Sequence, residues 1–281
     1  MKNRRSSNKL NLRSIPSVAV LTLLAAIVIY PFVMMVIVSL KTKANFMDDP
    51  LGLPRVWTLE NYLVVFQKGD ILTAFRNSLL ITSLSLSGQI LFGSLAAYAL
   101  SKMNFKKSKL FSSAFLAPMI FPVYTVIIPL YLVFRRLGLV NNIFGLVLVY
   151  VASGLPLVIF ILTSFMKTIP YQISESAFVA GASHFRVYYR IILPLIKPAI
   201  ATTVVVSGLS IWNDFFLPMI MMTNRKLATL PLKVFLFVGQ YNNVWTSICA
   251  CLIILVVPIL IVYVFLQSQI ISGIVAGSVK G

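Results

Sequence analysis

The chain has 281 residues, of which 59% are hydrophobic and 11% charged, and 24 Lys plus Arg against 6 Asp plus Glu give a formal net charge of +18. So little polar surface cannot cover a soluble globule of this size, and composition therefore places the chain in a membrane. The basic excess does not point to nucleic acid: the cations sit in short stretches between apolar runs, where they orient spans and meet anionic headgroups, and nowhere interleave with aromatics on a solvated domain.

The N-terminal segment 1–15 carries Lys2, Arg4, Arg5, Lys9 and Arg13 ahead of the first apolar run. That run is too long for a signal-peptide core and lacks a small-residue cleavage site, so a retained anchor is expected. Six runs, near 16–40, 78–101, 110–134, 143–165, 192–221 and 246–268, are long enough to cross the hydrocarbon as helices of about 20 residues. An open sheet would leave backbone groups unpaired in lipid. The expected fold is an all-α membrane protein with six transmembrane helices over 16–268 and both termini on one side.

Basic residues choose the side. Segments 1–15, 102–109, 166–191 and 269–281 hold 13 of them, against 10 in the opposite loops 41–77, 135–142 and 222–245. Four of the six acids, Asp48, Asp49, Glu60 and Asp70, lie in 41–77. The N-terminus, the 166–191 loop and the 269–281 tail are therefore expected in the cytoplasm. Segment 41–77 is expected outside, with Thr58 capping a short helix through Glu60, Asn61, Tyr62 and Phe66. It reads equally as a surface connector or as part of a docking face for an external partner. Pro31, Pro118, Pro122, Pro129, Pro156 and Pro258 fall inside the spans, where each frees a carbonyl and kinks its helix unless neighbours re-satisfy it. Gating and irregular packing explain them equally well.

No catalytic constellation emerges. Cys249 and Cys251 are spaced C-x-C in an apolar run and read as small packing residues. His184 is the single histidine, with no second ligand for a metal and no Ser/His/Asp set on its side of the membrane. No G-x-x-x-x-G-K-[ST] stretch offers a phosphate loop. The chain is thus expected to be non-catalytic and to bind no metal or cofactor.

Two polar stretches remain. From Pro170 to Pro198, Pro170 suits a first helical turn and Glu175 favours the positive end of that helix. Ile173, Ala177 and Gly181 recur at i, i+4 and i+8, with Ala180 beside them, as a small-residue ridge that another backbone can approach. The stretch reads either as a helix that transmits a push between spans or as one lying on lipid, anchored by Phe178 and Phe185. Further on, Asp214 follows Trp212 and Asn213 toward the outer part of span five, ahead of Pro218. An ionisable group at that depth faces the bundle interior or a watery cavity. It is either a pathway or gate residue or a polar tie at the outer interface.

At these residues the sequence resembles a known family. Glu175-Ser-Ala-x3-Gly181-x9-Ile191-x-Leu193-Pro194 is similar to the E-A-A-x3-G-x9-I-x-L-P loop of ABC-importer permeases, with Ser176 for the second residue and Ala180 where Asp is frequent. Trp212-Asn-Asp-Phe-Phe-Leu-Pro218, Thr229-Leu-Pro-Leu232, Asn61-Tyr62, Phe75-Arg-Asn77 and the tail Gly273 to Gly281 resemble the carbohydrate-uptake, maltose-type permeases, and in particular the second, six-span subunit of a heterodimeric pair. The resemblance implies a multi-pass protein of a prokaryotic cell membrane. Its partners would be a second permease, two ATPase subunits that hold ATP and Mg, and an external solute-binding protein that delivers a sugar, by family habit an oligosaccharide. It also implies that Glu175, Ser176, Ala177 and Gly181 contact an ATPase while Ile191, Leu193 and Pro194 fix the helix to span five. Importers of non-sugar solutes share the same machine. A proton-coupled secondary transporter would need a midplane acid and repeat-related halves, and the sequence shows no internal repeat.

Overall fold

A computed structural model describes residues 15–103, 105–120, 123–240 and 244–278, and every regular element among them is helical. In chain order they are α1 (Ile15–Ser39), α2 (Lys43–Asp48), α3 (Glu60–Gly69), α4 (Ile71–Lys102), α5 (Ser108–Leu116), α6 (Ile127–Arg136), α7 (Ile143–Thr168), α8 (Tyr171–Val179), α9 (His184–Val187), α10 (Leu193–Leu195), α11 (Lys197–Asn213), α12 (Phe216–Met221), α13 (Leu230–Gln240) and α14 (Trp245–Ser278). Four helices are long and apolar enough to cross a membrane unbroken: α1, α4, α7 and α14. The other two expected spans are bent pairs, so the described residues hold four to six crossings according to whether each pair counts as one.

The chain forms two compact units. The first comprises residues up to Lys68 together with Tyr241–Ile254. Its hub is Asn61, whose Nδ2 donates to the carbonyls of Ser39 (2.8 Å) and Lys41 (2.7 Å) and whose Oδ1 accepts from Thr246 Oγ1 (2.7 Å) and Ser247 Oγ (3.3 Å). Thr58 Oγ1 accepts from the Glu60 N–H at 3.1 Å, the cap expected for α3. The expected external segment 41–77 is shorter than its sequence suggests, because α4 starts at Ile71 and takes in its last seven residues.

The second unit, Gly69–Gln240 with Leu255–Gly281, is organised on α4 and α7. These two helices run in the same direction. Gln89 Nε2 donates to the Tyr150 carbonyl (2.7 Å), Ser101 Oγ lies on Met166 Sδ (3.5 Å) and Lys102 Nζ donates to the Ile169 carbonyl (2.6 Å). Gly88, Gly93 and Gly154 sit at this seam, where a Cβ would collide with Val151, Val158 and Gln89 respectively. Small residues that let backbones approach are the packing device expected between helices in lipid.

The third and fifth runs depart from the continuous helices expected. In 110–134, α5 ends at Leu116 and passes into a 3-10 turn, Ala117–Ile120, that contains Pro118; helix resumes in a second 3-10 turn, Val123–Val126, and α6. Pro122 lies outside the described residues. In 192–221, a π turn over Tyr188–Ile192, in which the Leu193 N–H reaches the Tyr188 carbonyl, leads into α10, and His184–Leu195 meets α11 at 72°. Pro194 and Pro198 remove two backbone donors one helical turn apart at this point, so the helix cannot pass through Ile196 straight. The run then stops at Asn213, because Asp214 is extended (φ −73°, ψ 123°), and α12 follows as a separate helix. Pro218 sits in the first turn of α12, where its missing N–H removes no helical bond. At the C-terminus, α14 carries helix through Ser278 into the expected tail.

Candidate functional site

At one end of the second unit, α8 hangs between the end of α7 and the bend. Its inner face is fixed by a core of Ala97, Tyr98, Val158, Leu162, Met166, Val187, Tyr188 and Ile192, against which Ala177, Phe178, Ile191 and Leu193 pack. Ser94 Oγ and Tyr188 Oη lie 2.8 Å apart within it. The outer face carries Glu175, Ser176, Ala180 and Gly181, all exposed, with Val179 at 86%. Ala177 is therefore half-buried and turned inward, so the expected ridge of Ile173, Ala177 and Gly181 is split between two faces. Glu175 is the fifth residue of α8 rather than a first-turn residue, and Pro170 is its N-cap. The expected interaction of Glu175 with the helix dipole is absent for that reason, since the effect fades beyond the first turn.

Gly181 ends α8. Its φ of +79° is a left-handed conformation, its N–H bonds the Phe178 carbonyl (2.9 Å), and the Ala182 N–H reaches back to the Ala177 carbonyl (2.9 Å). This is the glycine-capped Schellman turn, which satisfies the last carbonyls of a helix. Ser183 then caps α9, its Oγ accepting from the Arg186 N–H at 3.3 Å.

Between α4, α7 and α11 lies a half-open cavity of about 730 Å³. Asp214 lines it and closes α11 onto α12. Its Oδ1 accepts from the N–H groups of Phe216 (2.9 Å) and Leu217 (3.4 Å), and its Oδ2 accepts from Tyr150 Oη (3.0 Å). Asp214 is thus a helix-end tie that also lines the cavity. Its motif neighbours point elsewhere. Trp212, 6% exposed, donates from its indole to the Leu255 carbonyl (3.1 Å) in the turn of α14 that Pro258 weakens, and meets Phe75 edge-on at 5.8 Å. Asn213 is exposed and Pro218 buried. Trp212, Asn213 and Pro218 therefore do not line the cavity, whereas Gln89, Tyr124, Tyr150 and Ser153, which sequence reasoning missed, do. The legible signal was a Gln in the middle of an apolar run.

Beyond the cavity, Asn77 Nδ2 donates to the carbonyls of Lys226 (2.9 Å) and Ala228 (3.1 Å), and Ser78 Oγ accepts from the Leu230 N–H (2.7 Å). The Phe75-Arg76-Asn77 and Thr229-Leu230 stretches, far apart in sequence, are one structure. Among the described residues no group of three His, Cys, Asp or Glu side chains is placed to hold a metal.

Residues 89–274 match the family described as binding-protein-dependent transport system inner membrane component. The chain belongs to that family. This inner membrane component is 36% identical to a putative ABC transporter permease protein, ORF2, of Caldicellulosiruptor over 94% of each chain. It is 35% identical to a probable starch degradation products transport system permease of Thermoanaerobacterium thermosulfurigenes, covering 90% of this chain and 92% of that one. It is 33% identical to a trehalose/maltose transport system permease of Thermococcus litoralis, covering 92% and 94%. Among solved structures, a bacterial ABC transporter involved in the import of the acidic polysaccharide alginate superimposes with a TM-score of 0.80 at 24% identity, over 94% of this chain and 98% of that one. At that identity the likeness establishes the fold, that of an ABC importer permease.

Proposed function

We propose that the chain is the transmembrane permease subunit of an ATP-driven importer of sugars, most naturally oligosaccharides, and that it forms the translocation pathway together with a second, homologous permease. An external solute-binding protein delivers the sugar. Two cytoplasmic ATPase subunits bind ATP and Mg and drive the cycle, this chain being catalytically inert. The N-terminus, the 166–191 loop and the C-terminal tail face the cytoplasm, and α8 docks on an ATPase. The sugar assignment rests on relatives named for starch products, trehalose and maltose, and melibiose, raffinose and stachyose.

One observation carries the coupling. The helix α8 packs on the core through Ala177 and Phe178 while Glu175, Ser176, Val179 and Gly181 remain uncovered on its far side. A helix anchored on one face and bare on the other can pass a displacement into the α4–α7 seam and into the bend before α11. The test is co-expression with the partner permease and ATPase, comparing the native chain with Val179→Arg. A long cation at the most exposed point of α8 should abolish ATP-dependent oligosaccharide uptake and release the ATPase from the membrane complex. Undiminished uptake with an intact complex would refute docking through α8.

A further inference from the structure

Gln89, which lines the cavity, carries an acceptor that no described residue satisfies. Gln89 is 1% exposed, its Nε2 is committed to the Tyr150 carbonyl at 2.7 Å, and its Oε1 has no hydrogen-bond partner. Gly154 leaves room for it, since any Cβ there would occupy the space of the Gln89 amide. A buried acceptor left unpaired is costly, and its retention calls for an outside donor. Nearby, Asp214 Oδ2 accepts one hydrogen bond, from Tyr150, and keeps a second acceptor site free, while Oδ1 is taken by two backbone N–H groups. Ser153 and Ser207 add hydroxyls to the wall. Tyr124, half-exposed and edge-on to Phe216 at 5.4 Å, offers a ring to the same space.

We propose that this chain supplies its own sugar half-site, in which Gln89 Oε1 and Asp214 accept hydroxyl protons from a neutral sugar whose C–H face lies on Tyr124. The inference rests on the reading of the chain as a sugar permease and adds which of its residues touch the sugar. The chemistry selects the ligand. Among the described residues no Lys, Arg or His lines the cavity, which argues against an anionic ligand, and its acceptors call for a ligand with O–H donors. A pyranose presents many such donors around a largely apolar ring, which matches an aromatic surface flanked by acceptors. The volume of about 730 Å³ is within the range of small-molecule sites.

The test uses the complete transporter, assembled with its partner permease and ATPases in lipid nanodiscs without the binding protein. A panel of maltotriose, trehalose, melibiose and diacetylchitobiose is read by saturation-transfer NMR. The native complex should bind at least one of these sugars. Gln89→Leu should weaken that sugar by at least about tenfold, the loss of one well-made hydrogen bond to a buried acceptor. Tyr124→Ala, which removes a half-exposed ring and leaves Gln89 in place, should do the same. Equal binding by the native complex and by both variants would overturn the half-site and leave the sugar reading standing. Absence of binding by the native complex to every sugar of the panel would overturn both.

Discussion

Lys102 Nζ donates to the carbonyl oxygen of Ile169 at 2.6 Å, which ties the last residue of α4 to the residue that caps α7. Lys102 is 7% exposed, and Ile169 is followed at once by Pro170 and α8. A cation at a helix C-terminus satisfies carbonyls that have no helical partner and meets the negative end of the dipole. This bond fixes where α8 leaves the bundle.

Replacing Lys102 by Met keeps the stem and removes the donor. The expected loss is about 1.5–3 kcal/mol, the range for a hydrogen bond to a charged group. Because it falls at the base of α8, it should appear first as protease sensitivity in 169–183 and as ATP hydrolysis uncoupled from uptake, with the assembled complex still recoverable. Lys102→Arg should retain most of the coupling. Equal proteolysis and coupling in the native and Met forms would refute the tie.

At Gly181 the strain is conformational. No atom lies within 4 Å of an added Cβ, so space is not the constraint; φ of +79° is. An L-residue there costs roughly 1–2 kcal/mol, less for Asn, which tolerates the left-handed region, and most for a β-branched side chain. The expected order of sugar uptake is Gly, then Asn, then Ala, then Val, and circular dichroism of the purified complex should be unchanged. An inverted order, with Val above Asn, would mean that the turn is not what limits activity.

Asn77 reaches across about 150 residues of sequence to Lys226 and Ala228. Asn77→Leu would leave two carbonyls without their donor and should destabilise the complex by about 2–4 kcal/mol, the combined effect of two buried bonds. Asn77→Asp should be at least as damaging, because it sets a carboxylate against two carbonyl oxygens. Thermal unfolding and thiol labelling of a cysteine placed at Thr229, which is buried here, measure both effects.

Much of the architecture was legible from the chain alone, for a physical reason: lipid demands apolar helices of a minimum length, and the charges between them must stay at the interfaces. The Glu175 to Pro194 spacing was legible because its parts are local, a glycine at a left-handed C-cap and prolines at a bend. The breaks were not. Proline inside an apolar run is compatible with an unbroken helix, as at Pro156 within α7, and with a 72° bend, as at Pro194 and Pro198, and only the surrounding packing decides. Nor could the direction of Trp212 be read from its neighbours, since α11 turns adjacent side chains about 100° apart. Trp212 faces Leu255 while Asp214, two residues on, faces Tyr150. Asn61 and Asn77 carry the same lesson. Each is a short motif in sequence and a long-range hub in space.

The Tyr150–Asp214 pair separates the two duties of the carboxylate. Asp214→Asn keeps an oxygen for the Phe216 and Leu217 N–H groups, so α12 remains capped, whereas Asp214→Ala loses both cap and cavity acceptor. Loss of a cap costs about 1 kcal/mol, typically within 0.5–2. Tyr150→Phe removes only the donor to Oδ2 and leaves the ring in the core of Ile81, Leu146 and Leu217. The expected ranking of thermal stability is therefore native, then Tyr150→Phe and Asp214→Asn close together, then Asp214→Ala clearly below. If the carboxylate served the cavity alone, Asn and Ala would instead fall together in transport while leaving stability untouched. Differential scanning fluorimetry beside uptake assays on the same four proteins distinguishes these outcomes.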